Sequence, residues 1–224
     1  MDRGFDAGRE ILKWVAIVSM TIDHVGASLY PQYEVLRLMG RLSFPLFCYL
    51  LVLGLENTRN VGNYFVRLFL FALVSQVPFY LAFGIEPFES FNIFFTLSSG
   101  LAFTYFYKSK NAPLALLPVL ASSLLHFDYG IYGIFLIGCM YLIREDAELG
   151  AVSVVLLNLA FSFMWPTQFM SLFALPLILY HNSRASAAMG KTDVKGVYPR
   201  WKKYLFYAYY PLHLLALYAV RIII

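Results

Sequence analysis

Four histidines and a thin scatter of acids and cations carry all the acid–base chemistry available to an otherwise apolar sequence. The densest group is Lys13, Ser19, Thr21, Asp23 and His24 in one apolar stretch near the N-terminus. At 100° per residue, Lys13 and His24 are about 20° apart around a helix and ~16 Å apart along its axis, so they share a face. A second titratable group lies near the C-terminus, where Tyr209 and His213 flank Pro211. A proline there removes one rung of the helix ladder and leaves a carbonyl free toward a cavity. Histidines at such positions are candidates for proton transfer, because imidazole titrates near neutral pH and either ring nitrogen can act.

Further polar residues are candidates for a chamber around these two: Arg37 and Arg41, Gln76, Asn92 and Thr96, His126 and Asp128, and Gln168. Taken singly, Asn92 reads as a helix cap, Asp128 as a turn cap and Arg41 as an interface residue. A different cluster, Lys13, Arg59, His181, Arg184, Lys202 and Lys203, is cationic and would suit a phosphate-bearing ligand, although most of these positions also serve membrane topology. The sequence has no Gly-rich phosphate loop, GxSxG elbow, HExxH or CxxC pair. Asp23, His24, His126, Asp128 and His213 lack metal-ligand spacing on any one helix, and no metal is expected.

The elements that must hold these residues follow from composition. The chain has 224 residues, 60% hydrophobic, 18% aromatic and only 13% charged, with a mean hydropathy of +0.67. Soluble domains carry about a quarter charged residues, so the expected solvent is lipid. That excludes a secreted disulfide scaffold, a nucleic-acid-binding module and a disordered chain. Cys48 and Cys139 fall within apolar runs and read as small fillers. Apolar runs of about 15 to 20 residues favour helices over a barrel's ten-residue alternation. The expected fold is therefore all-α: a polytopic membrane protein with about nine transmembrane helices, near 11–30, 42–56, 64–84, 91–107, 112–126, 130–143, 149–164, 167–182 and 204–223. Residues 1–224 form one domain without repeats. The apolar run from Trp14 to Ile22 continues into Asp23 and His24 with no small-residue cleavage site, so it reads as a retained first span rather than a signal peptide.

Basic residues set the expected orientation. Arg3, Arg9, Arg59, Lys108, Lys110, Arg144, Arg184, Lys191, Lys195, Arg200, Lys202 and Lys203 fall on the N-terminal side, and only Arg37 and Arg41 on the other. This bias places the N-terminus in the cytoplasm of a multi-pass cell-membrane protein. Residues 183–203 read as a basic cytoplasmic loop.

With those residues in view, the chain resembles the TraX family of conjugative-pilin N-acetylases and their relatives. The resemblance rests on Leu12-Lys13-Trp14 and Thr21-Ile22-Asp23-His24-Val25-Gly26, then Gly40-Arg41-Leu42-Ser43-Phe44-Pro45-Leu46-Phe47 and Thr58-Arg59-Asn60. It continues through Asn92-Ile93-Phe94-Phe95-Thr96-Leu97, Asp128-Tyr129-Gly130-Ile131-Tyr132-Gly133 and Tyr209-Tyr210-Pro211-Leu212-His213. Gln76 stands where an acid is expected, and Tyr180-His181-Asn182 matches only loosely. The resemblance implies an integral-membrane acetyltransferase that takes acetyl-CoA from the cytoplasm and acetylates an acceptor on the outer side. The acceptor would be the N-terminal amine of a pilin-like peptide, or a glycan or lipid hydroxyl or amine.

On this reading His24 is the general base or a transient acetyl carrier, Asp23 or a nearby acid fixes its tautomer, and His213 relays a proton or orients the acceptor. Arg41, Asn92 and Tyr209 would stabilise the oxyanion, with Thr96 and Asp128 beside the acceptor. Lys13, Arg59 and Lys203 would meet the phosphates of acetyl-CoA. Two rival readings are a transporter, which would usually show repeat symmetry, and a non-enzymatic pilus or envelope assembly factor. Oligomeric state is not legible in the sequence.

Overall fold

The computed structural model describes residues 6–188 and 200–223, apart from the side chains of 186–188 and 200–203. The described residues are mostly helical, and no strand occurs among them. In chain order the helices are α1 (Ala7–Ser28), α2 (Glu34–Gly40), α3 (Ser43–Asn57), α4 (Val61–Phe83), α5 (Ile93–Lys108), α6 (Ala112–Leu124), α7 (Gly130–Glu145), α8 (Ala147–Ser162), a 3-10 helix (Pro166–Ala174), α9 (Leu175–Ala188) and α10 (Arg200–Ile223).

Short polar residues start many of these helices by accepting orphan backbone N–H groups. The Asp6 carboxylate accepts from the Arg9 N–H at 3.0 Å, and the Asn60 side chain from the Asn63 N–H at 2.9 Å. Asn92 caps α5 through the Phe94 N–H at 3.0 Å, and Asp146 caps α8 through Glu148 and Leu149. At the other end of α4, Gly84 adopts a left-handed φ of 65° as the chain leaves the helix.

Three segments are long and apolar enough to cross a membrane by length and composition: Glu34–Asn57, Val61–Phe83 and Tyr204–Ile223. Ala112–Leu124 and Ala147–Ser162 are apolar but shorter. A 13-residue helix such as α6 rises only ~20 Å, less than a hydrocarbon core of about 30 Å. α1 has the length but carries Lys13, Asp23 and His24 along it.

Among the described residues, three of the nine expected spans thus have the length and composition to cross a membrane, and the helices depart from the expected boundaries in three places. The second expected span is preceded by α2, which fills most of the segment expected to be an external loop. The eighth, expected near 167–182, begins as a 3-10 helix and becomes α-helical only at Leu175. The basic loop expected over 183–203 is shorter at both ends, since α9 runs to Ala188 and α10 starts at Arg200; residues 189–199 lie outside the described residues.

α3 and α7 form the centre, with Tyr49, Phe44, Leu46, Ile134, Leu136, Ile137, Met140 and Ile143 almost fully enclosed. α1 packs on α2 and α3, α4 on α5 and α10, and α7 on α8. Lipid tails are as apolar as leucine, so close backbone approach rather than hydrophobic burial must hold such helices together. At Gly150 an added Cβ would lie 2.2 Å from the Ile143 backbone nitrogen, and at Gly40 it would lie 2.2 Å from the Asp23 Cβ. The second contact locks α2 onto α1 beside His24.

Candidate functional site

A cavity of about 1010 Å³ runs along α1, and its lining follows the helix period: Asp6, Arg9, Glu10, Lys13, Ile17, Met20, Asp23, His24 and Ala27. The shared face expected of Lys13 and His24 is thus the wall of one cavity. α3, α4, α5 and α10 supply the other walls. At the N-terminal end of α1 the lining includes Arg59, Tyr64, Arg67, Phe206 and Tyr207. At the far end it includes Arg37, Arg41, Asp128 and Tyr129, with Phe47, Leu50, Phe94 and Leu97 among the apolar lining. The cavity is therefore polar at both ends and apolar between them.

His24 and His213 form the titratable centre. His24 Nδ1 lies 2.7 Å from His213 Nε2, and His213 Nδ1 lies 2.9 Å from the Tyr209 carbonyl oxygen. The rings are nearly parallel, 8° apart. A carbonyl can only accept, so for neutral rings the tautomers follow from the chain of bonds. His213 donates from Nδ1 and accepts at Nε2, His24 donates from Nδ1, and the lone pair of His24 is left on Nε2. His24 lines the cavity, while His213 does not and is 8% exposed behind it.

Contrary to the expectation from sequence, Asp23 does not hold that tautomer. Its Oδ2 accepts from Arg37 Nη1 at 2.6 Å, and its Oδ1 is buried with no hydrogen-bond partner. Gly40 explains the difference, because its missing side chain lets α2 press onto Asp23 and bring Arg37 within reach. Arg41 turns the other way, donating from Nη1 to the Tyr129 hydroxyl at 3.2 Å, and its Nε is buried without a partner. Tyr129 holds a left-handed φ of 61° and stacks on Phe44 with ring centroids 3.9 Å apart. Burial pushes its phenol well above the usual range. Burial, reinforced by the charge of Asp23, raises the Asp128 carboxyl to about 6, against the pull of Arg41 and Arg37.

Three expected acceptor-side residues are used elsewhere. Asn92 is fully buried, donating to the Gln76 Oε1 at 2.6 Å and the Ala72 carbonyl at 2.8 Å while its Oδ1 caps α5. Gln76 completes the pair by donating to the Ser90 carbonyl at 2.8 Å. Thr96 donates to the Asp128 carbonyl and so positions the turn rather than a ligand. Thr21 Oγ1 donates to the Ile17 carbonyl at 2.8 Å, so the Tyr209 hydroxyl, 2.7 Å away, donates to Thr21 and ties α10 to α1. None of the three lines the cavity.

Lys13 lines the cavity with its Nζ 2.6 Å from Glu10 Oε1 and 4.9 Å from the Phe206 ring centroid. Arg59 lines it from an exposed position, and the Lys203 side chain lies outside the described residues. His181, expected in the cationic cluster, instead sits in a buried network. Its Nε2 is 3.2 Å from Asp6 Oδ2 and its Nδ1 is 3.0 Å from the Tyr49 hydroxyl. His126 and Gln168 stay outside the cavity. Arg9 and Arg67, which the sequence reading did not single out, line it toward the N-terminal end of α1. For Arg67 a signal was present: an arginine embedded in an apolar run is costly unless it serves a site. Among the described residues no three His, Cys, Asp or Glu side chains converge in a group that could hold a metal ion.

The sequence is similar to those of known proteins. The chain is 29% identical to the "Probable fimbrial assembly protein FimC, serogroup H1" of Dichelobacter nodosus, over 96% of both chains. It is also 29% identical to "Protein TraX" of Escherichia coli, over 59% of this chain and 55% of that one. No solved structure matches. The TraX protein family profile matches residues 8–221, so the chain belongs to the TraX family.

Proposed function

We propose that the chain is an integral-membrane acetyltransferase, crossing the membrane about nine times with its N-terminus cytoplasmic. It takes acetyl-CoA at the Lys13 end of the cavity and delivers the acetyl group to an amine or hydroxyl acceptor at the His24 end. The acceptor is the N-terminal amine of a pilin-like peptide, or a glycan or lipid. The observation that carries this reading is the His24–His213–Tyr209 chain of hydrogen bonds, which leaves a basic nitrogen facing the cavity.

In the reaction His24 Nε2 takes the proton from the acceptor as its nitrogen or oxygen bonds to the acetyl carbonyl carbon. The C–S bond then breaks, its electron pair leaves on sulfur, and the proton on Nε2 passes to that sulfur. The unpaired Arg41 Nε, at the same end of the cavity, is the candidate donor to the developing oxyanion. Asp23, paired with Arg37, keeps α2 and its arginines in place. The apolar middle of the cavity keeps water from the thioester.

Incubating purified protein with acetyl-labelled CoA and cell-envelope acceptors tests this reading. Label should move to the acceptor with wild type and not with His24→Ala; no CoA binding and no loss of the acetyl group would overturn it. The printed name of the Dichelobacter nodosus relative supports a second reading, a non-enzymatic envelope assembly factor. In that case His24→Ala leaves assembly intact.

A further inference from the structure

The inner end of the cavity carries more positive charge than its own acids compensate. Arg9, Lys13, Arg59 and Arg67 line it together with Asp6 and Glu10. Glu10 pairs with Lys13, and Asp6 with His181. Neither Arg9 nor Arg67 enters an ion pair among the described residues, and the Nε of each is buried without a hydrogen-bond partner. Arg67 lies six residues into α4, ~9 Å along its axis. Its guanidinium carbon sits over the rings of Tyr64 and Tyr207, 5.2 and 5.6 Å from their centroids. These cation–ring contacts hold the guanidinium at the cavity wall, where it lines the space open to a ligand. A half-buried guanidinium whose Nε is enclosed without a partner, in an otherwise apolar helix, is better satisfied when an anion meets it.

We propose that Arg67, with Arg9, forms an anion site for a phosphate or phosphoanhydride group at the inner end of the cavity, deeper than the exposed Arg59. This rests on the acetyl-CoA reading for the source of that group. The same chemistry would also accept a phospholipid headgroup. Two guanidiniums at one site suit the paired oxygens of a diphosphate, which a lysine cannot match in geometry. Arg67 is thereby a binding residue for the donor, and Tyr64 and Tyr207 are positioning residues.

The test uses the full chain purified in detergent and calorimetric binding of four probes: CoA, pantetheine, inorganic pyrophosphate and short-chain phosphatidylglycerol. Arg67→Gln should raise the Kd for CoA about tenfold or more, as loss of a charge-assisted hydrogen bond implies. Pantetheine, which has no phosphate, should be unaffected. Arg67→Lys should recover part of the loss, and Arg221→Gln, outside this cavity, should leave CoA binding unchanged. A CoA Kd for Arg67→Gln within twofold of wild type overturns the site and leaves the acetyl-donor reading intact. Arg67-dependent binding of phosphatidylglycerol without binding of CoA keeps the site and overturns that reading. Binding of none of the three phosphate probes to wild type overturns the site. If Arg67→Gln does not fold, phenylglyoxal labelling of wild type decides: saturating CoA or phosphatidylglycerol should protect Arg67, and unchanged labelling with both contradicts the proposal.

Discussion

His213 should control the rate of acetyl transfer without touching either substrate. Replacing it with leucine leaves the His24 Nδ1–H facing a group that cannot accept, where His213 Nε2 now lies 2.7 Å away. An unsatisfied buried donor costs about 1–3 kcal/mol. If the ring escapes that cost by moving its proton to Nε2 or turning, the base no longer faces the cavity. At 1.36 kcal/mol per decade, kcat should fall about 5- to 150-fold. KM for acetyl-CoA should change little, because His213 does not line the cavity. His213→Gln keeps an amide oxygen near the lost Nε2 and should recover part of the rate. Nitrogen-15 NMR of the His24 ring should report Nδ1–H in wild type, and a changed tautomer mixture in His213→Leu. A His213→Leu protein with kcat within twofold of wild type, or an unchanged His24 tautomer, would refute the reasoning.

Other positions give independent checks. Gly40→Ala puts a methyl group 2.2 Å from the Asp23 Cβ and 2.7 Å from its Cα; a thermal unfolding midpoint in detergent unchanged from wild type would contradict the packing, since such overpacking typically costs about 1–3 kcal/mol. Asn92→Ala should lower that midpoint while KM for the acceptor stays near wild type, because its polar atoms are used within the protein; a large KM effect with no loss of stability would return it to the acceptor site. Asp128 gives a pH signature. Its folded carboxyl titrates at about 6, above the ordinary value of 3.8, so between those values the folded state binds the extra proton. The penalty for ionising it in place is absent below about 4 and grows as pH rises toward 6. Asp128→Asn should therefore gain stability over wild type between pH 4 and 7, and a difference independent of pH would contradict this.

The residues show which features sequence alone can carry. An eleven-residue spacing fixes a shared helix face regardless of tertiary detail, so the Lys13–His24 wall was legible. The pairing of Asp23 was not, because Arg37 in α2 and Arg41 just after it are four residues apart and the close approach at Gly40 decides which of them reaches α1. Asn92 and Thr96 have the composition of a site but meet Gln76 and the Asp128 carbonyl, partners 16 and 32 residues from them. Arg67 carried only the general signal of an arginine within an apolar run, and its contact with Tyr207 arises only in the fold. The 3-10 start of the segment expected as the eighth span was masked by an apolar composition that fits either helix type, despite Pro166 at its head.

The central claim is that one cavity passes an acetyl group from a cytoplasmic thioester to an acceptor on the other side through His24. The most direct measurement uses the full chain in sealed proteoliposomes, with acetyl-labelled CoA on the face that exposes the N-terminus and a primary-amine peptide on the opposite face. Labelled peptide should accumulate with wild type and stay at background with His24→Ala of equal thermal stability. Equal labelling by the two proteins, or consumption of acetyl-CoA only when the peptide is on the same face, would contradict the account.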